Sequence, residues 1–192
     1  MRKAAFLDRD GVINQKLPEG QYVTCWEEMK FLPGVVKAIA SLNRAGFHVV
    51  VVSNQRCVAK GLLTTDDLNL IHERMRRGFA SDGARIDGIY YCSHDEHPPC
   101  GCRKPAPGLL LKAATEHEID LASSWMIGDS DVDIGAGKSA GCKTIRILKC
   151  DEVPTGSADL FARSLLDAVC QIVDPGSKPV LGTAETTELS GS

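Results

Sequence analysis

The sequence places two aspartates, Asp8 and Asp10, directly after the short apolar run Ala4–Leu7. Residues two apart on an extended strand point the same way, so both carboxylates can enter one small volume. Two like charges at close range are costly unless a cation or a shared proton relieves the repulsion. The pair therefore predicts a site in which a divalent metal lies beside an acidic nucleophile.

Three further groups of polar residues follow other apolar runs of the chain. They are Ser53-Asn54-Gln55, Arg103-Lys104 and the acidic run Gly128-Asp129-Ser130-Asp131-Val132-Asp133. Each group alone has an ordinary explanation as a helix cap, a turn or solvated surface. However, the carboxyl ends of parallel strands share one edge of a sheet, where ligands bind. The joint presence of all these groups therefore favours a single polar site.

The elements that must bring these groups together alternate between strand and helix. We predict strands at 3–7, 47–52, 86–91, 124–127 and 143–148, and helices at 34–45, 65–80, from 107 onward, 132–140 and 160–173. Apolar, β-branched runs separated by amphipathic helices are typical of a doubly wound α/β fold. The sequence thus predicts a parallel sheet of about five strands, with the ligand site beyond its carboxyl edge.

Two segments depart from that alternation. Residues 12–33 are too many for a tight loop and too polar for core, so we expect a small turn-and-hairpin flap over the site. Residues 174–192 are dominated by Pro, Gly, Ser and Thr, which predicts a flexible tail. The remaining residues, 1–173, are expected to form one domain.

Composition and charge exclude several classes of function. The chain has 192 residues, 43% of them apolar, and a net charge of −3, which gives no basic surface for nucleic acid or an anionic membrane. The first apolar run is too short for a secretory signal, and no run approaches the roughly 20 residues of a membrane span. We expect a soluble, cytoplasmic monomer with no nucleic-acid or membrane partner.

A group of cysteines and a histidine has the spacing of a metal site. The pattern is C-x-H-x5-C-x-C, formed by Cys92, His94, Cys100 and Cys102. Three thiols and an imidazole match a closed, structural Zn²⁺ site, with His97 as the alternative to His94. A loop of free thiols is the other explanation, since a Cys100–Cys102 disulfide would be strained. A bound metal would also fix where the adjacent Arg103 and Lys104 point.

The strand-end groups resemble the motifs of the haloacid dehalogenase superfamily of phosphotransferases. The resemblance covers residues 3 to about 148 and has the motifs in order: Asp8-x-Asp10-Gly11, Ser53, Lys104 and Gly128-Asp129-x-x-x-Asp133. It implies a Rossmann-like fold and a phosphatase that forms an aspartyl-phosphate. Because no cap domain is evident between Ser53 and Lys104, we expect a capless enzyme with an open site.

The resemblance also implies a role for each site residue. Asp8 would attack phosphorus as the nucleophile, while Asp10 would serve as general acid and base. Lys104 would stabilise the developing charge. The residues expected to bind the phosphorylated substrate are Ser53, Asn54, Gln55, Arg103 and Lys104.

A magnesium site follows from the same resemblance. The Asp8 and Asp129 carboxylates, with the backbone carbonyl of Asp10, would hold Mg²⁺. Asp133 lies four residues after Asp129, on the same face if the helix has begun by then. Whether Asp133 contacts the metal or supports the site stays open at this stage.

The zinc pattern followed by Cys102-Arg103-Lys104-Pro105 narrows the resemblance to one branch of the superfamily. That branch contains the D-glycero-D-manno-heptose 1,7-bisphosphate 7-phosphatases and the histidinol-phosphate phosphatases. It implies removal of the C7 phosphate of the heptose bisphosphate, with Arg103 binding the second, non-reacting phosphate. The chain departs from the family pattern at Arg56-Cys57, where a small, glycine-containing pair is usual.

Other functions remain as alternatives to this prediction. Within the class, the substrate could be histidinol phosphate or another small sugar phosphate. Outside it, a phosphoacceptor signalling domain also carries an acidic cluster and a lysine, but there the accepting aspartate follows the third strand, and here that strand ends in Tyr91-Cys92. A zinc module for nucleic acid is disfavoured by the acidic charge balance.

Overall fold

A computed structural model describes residues 1–174 of the chain. Its strands are β1 (Ala4–Leu7), β2 (His48–Asn54), β3 (Gly88–Cys92), β4 (Trp125–Gly128), β5 (Lys143–Ile147) and β6 (Leu160–Ala162). Its α-helices are α1 (Val35–Arg44), α2 (Arg56–Ala59), α3 (Thr65–Ser81), α4 (Gly108–His117), α5 (Asp131–Ala140) and α6 (Leu165–Val173). The predicted alternation of strand and helix is confirmed, although α2 was not predicted.

The strands form one parallel sheet in the order β3-β2-β1-β4-β5-β6. The chain starts at the centre, builds outward through β2 and β3, and then returns to the other side of β1 with β4. Strand order therefore reverses between β1 and β4, and ligands bind at such reversal points in doubly wound sheets. Asp8 follows β1 and Asp129 follows β4, so the fold puts both aspartates at this point.

Apolar side chains cover both faces of the sheet, as expected for a parallel sheet. On β1, Ala5 and Leu7 face one layer, while Ala4 and Phe6 face the other. The first layer contains buried residues of α1, α3 and α6, and the second contains buried residues of α4 and α5. Within residues 1–174 the chain between β2 and β3 forms only α2 and α3, so no separate cap domain covers the site.

The carboxyl-terminal helix is shorter than predicted, and the predicted number of strands was too low. Residues 160–162 form β6, which pairs with β5, and α6 begins only at Leu165. Ser164 caps that helix, because its side chain accepts a hydrogen bond from the Asp167 backbone N–H. The predicted helix from residue 160 combined a strand and a helix into one element, because both contribute buried apolar residues to the same layer.

The segment 12–33 has the predicted hairpin-like pairing at its base, but part of it lies in the core. Val12, Ile13, Val23 and Met29 are buried in the core, so the segment is not too polar to pack. Beside the antiparallel bridge of Asn14 with Phe31, the Gln15 N–H donates to the Lys30 carbonyl at 2.7 Å, and a short 3-10 turn lies at Trp26–Glu28. The buried apolar residues are few and scattered among polar ones, which hid their burial from pattern analysis.

None of the described helices is long and apolar enough to cross a lipid bilayer. The predicted flexible tail lies, beyond Asp174, outside the described residues.

Candidate active site

A polar pocket of about 280 Å³ opens at the carboxyl edge of the sheet. The predicted residues that line it are Asp8, Asp10, Ser53, Asn54, Arg103, Lys104 and Asp133. Residues 16–23 of the segment after β1 form one wall. The structure thus brings residues from four separate stretches of sequence into one small volume, as predicted from their positions after the strands.

A buried lysine between two aspartates forms the floor of this pocket. The Lys104 Nζ atom lies 2.7 Å from Asp8 Oδ1 and 2.6 Å from Asp133 Oδ1, and it also donates to the Val52 carbonyl at 2.8 Å. Burial raises the pKa of Asp8 to about 7, although the attraction of Lys104 opposes this shift. Burial alone would lower the pKa of Lys104, but the two carboxylates hold it above its ordinary value. The floor is a charged, largely dehydrated triad.

Asn54 fixes the backbone of this lysine. Its Nδ2 atom donates to the Lys104 carbonyl at 3.1 Å, and its Oδ1 atom accepts from the Lys104 N–H at 3.0 Å. A side-chain amide that pairs with both backbone groups of one residue leaves that residue little freedom to turn. Asn54 also lines the pocket. Its predicted contact with the substrate stays a prediction, in addition to its contact with the Lys104 backbone.

The Asp10 carboxylate is held by three side chains. It accepts from Arg9 at 3.0–3.2 Å, from Asn14 Nδ2 at 2.8 Å and from Gln55 Nε2 at 3.0 Å. Burial alone would raise the pKa of Asp10, but Arg9 and the hydrogen bonds lower it below its ordinary value. Gln55 also donates to Ser53 Oγ at 2.8 Å, and it thereby links Asp10, after β1, to Ser53 on β2. The side chain of Gln55 is buried, and its predicted contact with the substrate stays a prediction.

Arg9 and His72 are site residues that the sequence analysis missed. Alternation along a strand predicts that the Arg9 side chain points away from those of Asp8 and Asp10. An arginine is ordinarily exposed to solvent, yet only 1% of Arg9 is exposed. Its Nη1 atom lies 3.1 Å from His72 Nε2 on α3. Burial, and then the Arg9 charge, lower the pKa of His72 to about 3. His72 is therefore neutral and accepts the hydrogen bond from Arg9.

This neutral histidine predicts a defined dependence of stability on pH. Its folded pKa lies below the ordinary value of about 6.5, so the unfolded chain binds more protons and stability falls as the pH drops from about 6.5 toward 3. His72→Gln keeps an acceptor for Arg9 but cannot take up a proton. Between pH 6 and 4, we expect its unfolding free energy to fall less steeply than that of the wild type, by up to about 1.4 kcal/mol per pH unit. Urea unfolding at several pH values measures this. The exposed His97→Gln is the control, and parallel pH curves for wild type and His72→Gln would contradict the assignment.

Asp129 completes a group of carboxylates that could hold a cation. One oxygen from each of Asp8, Asp129 and Asp133 lies within 4.8 Å of the others. The Lys16 ammonium contacts both Asp129 oxygens, at 2.7 and 3.0 Å, so a cation already lies against this carboxylate. Gly11 has φ of +98°, and a Cβ atom there would come within 2.4 Å of Asp129 Oδ2, so the close approach requires glycine. Hard divalent cations bind oxygen ligands of this kind.

The predicted cysteine-histidine group also assembles. Its ligand atoms, from Cys92, His94, Cys100 and Cys102, lie within 4.8 Å of one another. The three sulfurs are separated by 3.3–3.6 Å, and His94 Nδ1 lies 3.1 Å from Cys102 Sγ. With Zn–S bonds of about 2.3 Å, the edges of a tetrahedral site are of about this length. His97, the alternative ligand, is not a member of the group.

This cysteine-histidine group lies next to the active pocket. Cys102 is joined directly to Arg103, which lines the pocket, and Gly108 at the start of α4 donates to the Gly101 carbonyl at 3.1 Å. No cysteine in residues 1–174 forms a disulfide. The thiols are thus available to bind a metal.

Comparison with known proteins gives the family. A family model described as HAD-hydrolase-like matches residues 101–160. The chain is 40% identical over 152 residues to D-glycero-beta-D-manno-heptose-1,7-bisphosphate 7-phosphatase of Rhodopseudomonas palustris. The matched region covers 76% of this chain and 83% of the relative. The chain belongs to this family of HAD-like phosphatases. It is a phosphoric monoester hydrolase, as the sequence predicted.

Two further relatives of this phosphatase family cover most of the chain. D-glycero-alpha-D-manno-heptose-1,7-bisphosphate 7-phosphatase of Mycobacterium bovis is 38% identical over 148 residues, 74% of this chain and 77% of the relative. The crystal structure of D,D-heptose 1,7-bisphosphate phosphatase from B. bronchiseptica, complexed with magnesium and phosphate, superposes with a TM-score of 0.80 at 34% identity. That likeness covers 90% of this chain and 99% of the other. The relatives thus act on both anomers of one sugar.

Proposed function

We propose that this phosphatase removes the C7 phosphate of D-glycero-D-manno-heptose 1,7-bisphosphate through an aspartyl-phosphate on Asp8. The observation that carries the proposal is the Asp8 carboxylate at the floor of the pocket, 2.7 Å from a buried ammonium group. The family relationship supplies the sugar, since heptose 1,7-bisphosphate appears in the names of relatives that cover most of the chain. No observation favours histidinol phosphate over the heptose.

The first half of the reaction transfers the phosphoryl group to the enzyme. An Asp8 oxygen attacks phosphorus, the bond from phosphorus to the sugar oxygen breaks, and Asp10 gives a proton to that oxygen. Lys104 stays ionised because two carboxylates hold its pKa above the ordinary value, so it offsets the charge that gathers on phosphorus. Ser53 lies at the end of β2 on the pocket wall, where its hydroxyl can bind a phosphoryl oxygen.

The second half returns the enzyme to its starting state. Asp10, now deprotonated, takes a proton from water, and the water oxygen attacks phosphorus to release inorganic phosphate and regenerate the Asp8 carboxylate. The lowered pKa of Asp10 keeps its carboxylate ionised and therefore able to accept this proton. For the earlier acid role, the negative charge of the arriving phosphate must offset Arg9 and raise the pKa of Asp10.

The residues present fit a magnesium ion. Asp8, Asp129 and Asp133 offer carboxylate oxygens within 4.8 Å of one another, and Asp129 already holds the Lys16 ammonium as a cationic partner. We propose that Asp8 and Asp129, with the backbone carbonyl of Asp10, hold Mg²⁺. Asp133 accepts hydrogen bonds from the Ser130 N–H and hydroxyl and pairs with Lys104, so we assign it to supporting the site. When bound, the ion supplies positive charge that reduces the repulsion between nucleophile and phosphate.

The cysteine-histidine group fits zinc, and we propose that the metal is structural. All four ligands come from the protein, which closes the coordination shell. Because Cys102 adjoins Arg103 and Lys104, a metal here holds these two cationic residues of the pocket in place. Thiolates are the ligands that select zinc over magnesium.

We expect purified protein to contain stoichiometric zinc, measured by elemental analysis after dialysis. Cys100→Ala should lose most of the metal and lower the thermal midpoint, since structural zinc contributes directly to folding free energy. The exposed Cys25→Ala removes a thiol outside this group and should retain the zinc. Full retention by Cys100→Ala, or absence of zinc from the wild type, would contradict the zinc proposal.

The substrate is tested by measuring phosphate release in the presence of Mg²⁺ from both anomers of the heptose bisphosphate, from histidinol phosphate and from a small aryl phosphate. We expect kcat/KM for one heptose anomer to exceed that for histidinol phosphate by at least about 100-fold, a preference that needs about 3 kcal/mol of additional transition-state binding. A preference for histidinol phosphate would refute the proposed sugar while leaving the phosphatase chemistry intact.

A further inference from the structure

A small cluster of arginines and acidic residues adjoins the pocket through Arg103, outside the catalytic groups. Arg56 begins α2, one residue beyond the end of β2 at Asn54, and Arg103 precedes Lys104. Between them lies Glu96, from the loop that carries the proposed zinc ligands. One oxygen of this glutamate, Oε1, accepts from Arg56 Nη1 at 2.9 Å and from Arg103 Nη2 at 3.4 Å. Two guanidinium groups thus meet at one anionic oxygen.

Each guanidinium also has a partner other than Glu96. Arg56 Nε donates to Asp95 Oδ1 at 2.6 Å, and Arg103 Nη1 donates to the His94 carbonyl at 3.5 Å. Asp95 is itself fixed, because its Oδ1 atom accepts the Glu96 backbone N–H at 2.6 Å. The two arginines would therefore stay in place if the Glu96 side chain moved away.

Glu96 is the group in this cluster that can leave most easily. Its side chain is 51% exposed, against 28% for Arg56 and 20% for Arg103. An exposed carboxylate regains full hydration when it turns into solvent, and exposed ion pairs are weak. Carboxylate and phosphate oxygens are both recognised by the planar donor fork of arginine. A phosphate group on the substrate can therefore replace this carboxylate.

We propose that Arg56 joins Arg103 in binding the second, non-reacting phosphate of the substrate, and that the Glu96 carboxylate fills this site until the substrate displaces it. The inference rests on the proposed function and adds a residue to the sequence-based prediction that Arg103 binds that phosphate. Arg103 lines the same pocket as Asp8 and Lys104, so a second anion held by Arg103 lies beside the reacting phosphate. Arg56 would then determine preference for bisphosphates over monophosphates.

Substitution of Arg56 and substitution of Glu96 are expected to have opposite effects on substrate binding. Arg56→Gln should raise KM for the heptose 1,7-bisphosphate about tenfold, the loss expected for one charge-assisted hydrogen bond, with kcat and the KM for heptose 7-phosphate unchanged. Glu96→Gln should lower KM for the bisphosphate about threefold, because a neutral amide competes less well for the two arginines. The matched controls are Arg76→Gln and Glu73→Gln, an ion pair on the exposed face of α3.

A second measurement separates this inference from the proposed sugar. Inhibition of aryl phosphate hydrolysis by fructose 1,6-bisphosphate and by fructose 6-phosphate reports anion binding without heptose turnover. Arg56→Gln should weaken inhibition by the bisphosphate alone. If Arg56→Gln left both the KM ratio and the inhibition ratio at wild-type values, the two-arginine site would be overturned even with heptose activity intact. Lack of heptose turnover with a selective loss of bisphosphate inhibition would instead refute only the sugar.

Discussion

Replacing Asp8 by asparagine is expected to lower kcat for phosphate release by about 10⁴-fold or more, because the amide cannot form the aspartyl-phosphate. The fold should persist. Lys104 keeps its contacts with Asp133 and the Val52 carbonyl, and the variant removes a carboxyl group whose ionised form burial disfavours. Phosphate release under saturating substrate, together with circular dichroism and thermal unfolding, measures both parts of the expectation.

The control for this experiment is Asp82→Asn, which makes the same chemical change at an exposed position after α3. It should retain wild-type kcat. A mass increase of one phosphoryl group on rapidly quenched wild type, absent from Asp8→Asn, would identify the intermediate directly. An Asp8→Asn variant that turns over at a rate near the wild type would refute Asp8 as the nucleophile and, with it, the proposed mechanism.

The sequence was sufficient to predict the sheet and the position of the pocket. Strands of a parallel sheet are buried on both faces, so the second strand contains the unbroken apolar run Val49–Val52, and the strand ends follow from where polar residues begin. Once the strands are parallel, the groups that follow β1, β2, β3 and β4 lie at the same edge of the sheet. The prediction of Asp8, Ser53, Lys104 and Asp129 in one volume needed no more than this.

The residues that the sequence analysis missed depend on contacts between distant parts of the chain. Arg9 is buried because His72, 63 positions away, accepts its hydrogen bond and Asp10 balances its charge. Lys16 contacts Asp129 across 113 positions. Neither partner is marked by local spacing, since an arginine beside an aspartate and a lysine in a loop are ordinary on a protein surface. Such pairs become visible only when the fold is known.

The boundary between β6 and α6 was missed for a different reason. Residues 160–162 and the helix after them bury apolar side chains in the same layer, so the pattern is continuous across the break. The information was present in Ser164 and Asp167, which form a helix cap, but a short edge strand of three residues gives too little alternation to be recognised.

Removing the buried charge of Lys104 is expected to damage both stability and catalysis. In Lys104→Met, the carboxylates of Asp8 and Asp133 lose their counterion, and breaking a buried pair of this kind costs about 3–5 kcal/mol of unfolding free energy. Activity should fall by about 10²–10³-fold, the effect of losing one charge that stabilises the transition state. Lys104→Arg should not restore activity, because a planar guanidinium cannot reproduce the contacts that the ammonium makes with Asp8 at 2.7 Å and with Asp133 at 2.6 Å.

The size of the stability loss should depend on pH, and this distinguishes an electrostatic cause from poor packing. Burial already raises the pKa of Asp8 to about 7 in the presence of Lys104, which lowers it, so without the lysine this pKa rises further. A raised folded pKa means that the folded state binds the extra proton, so stability is present at low pH and is lost as the pH rises through the folded pKa. Chemical unfolding with metal chelated should therefore show a smaller difference between Lys104→Met and wild type at pH 5 than at pH 8. The exposed Lys112→Met is the control, and a difference that is the same at both pH values would assign the loss to packing.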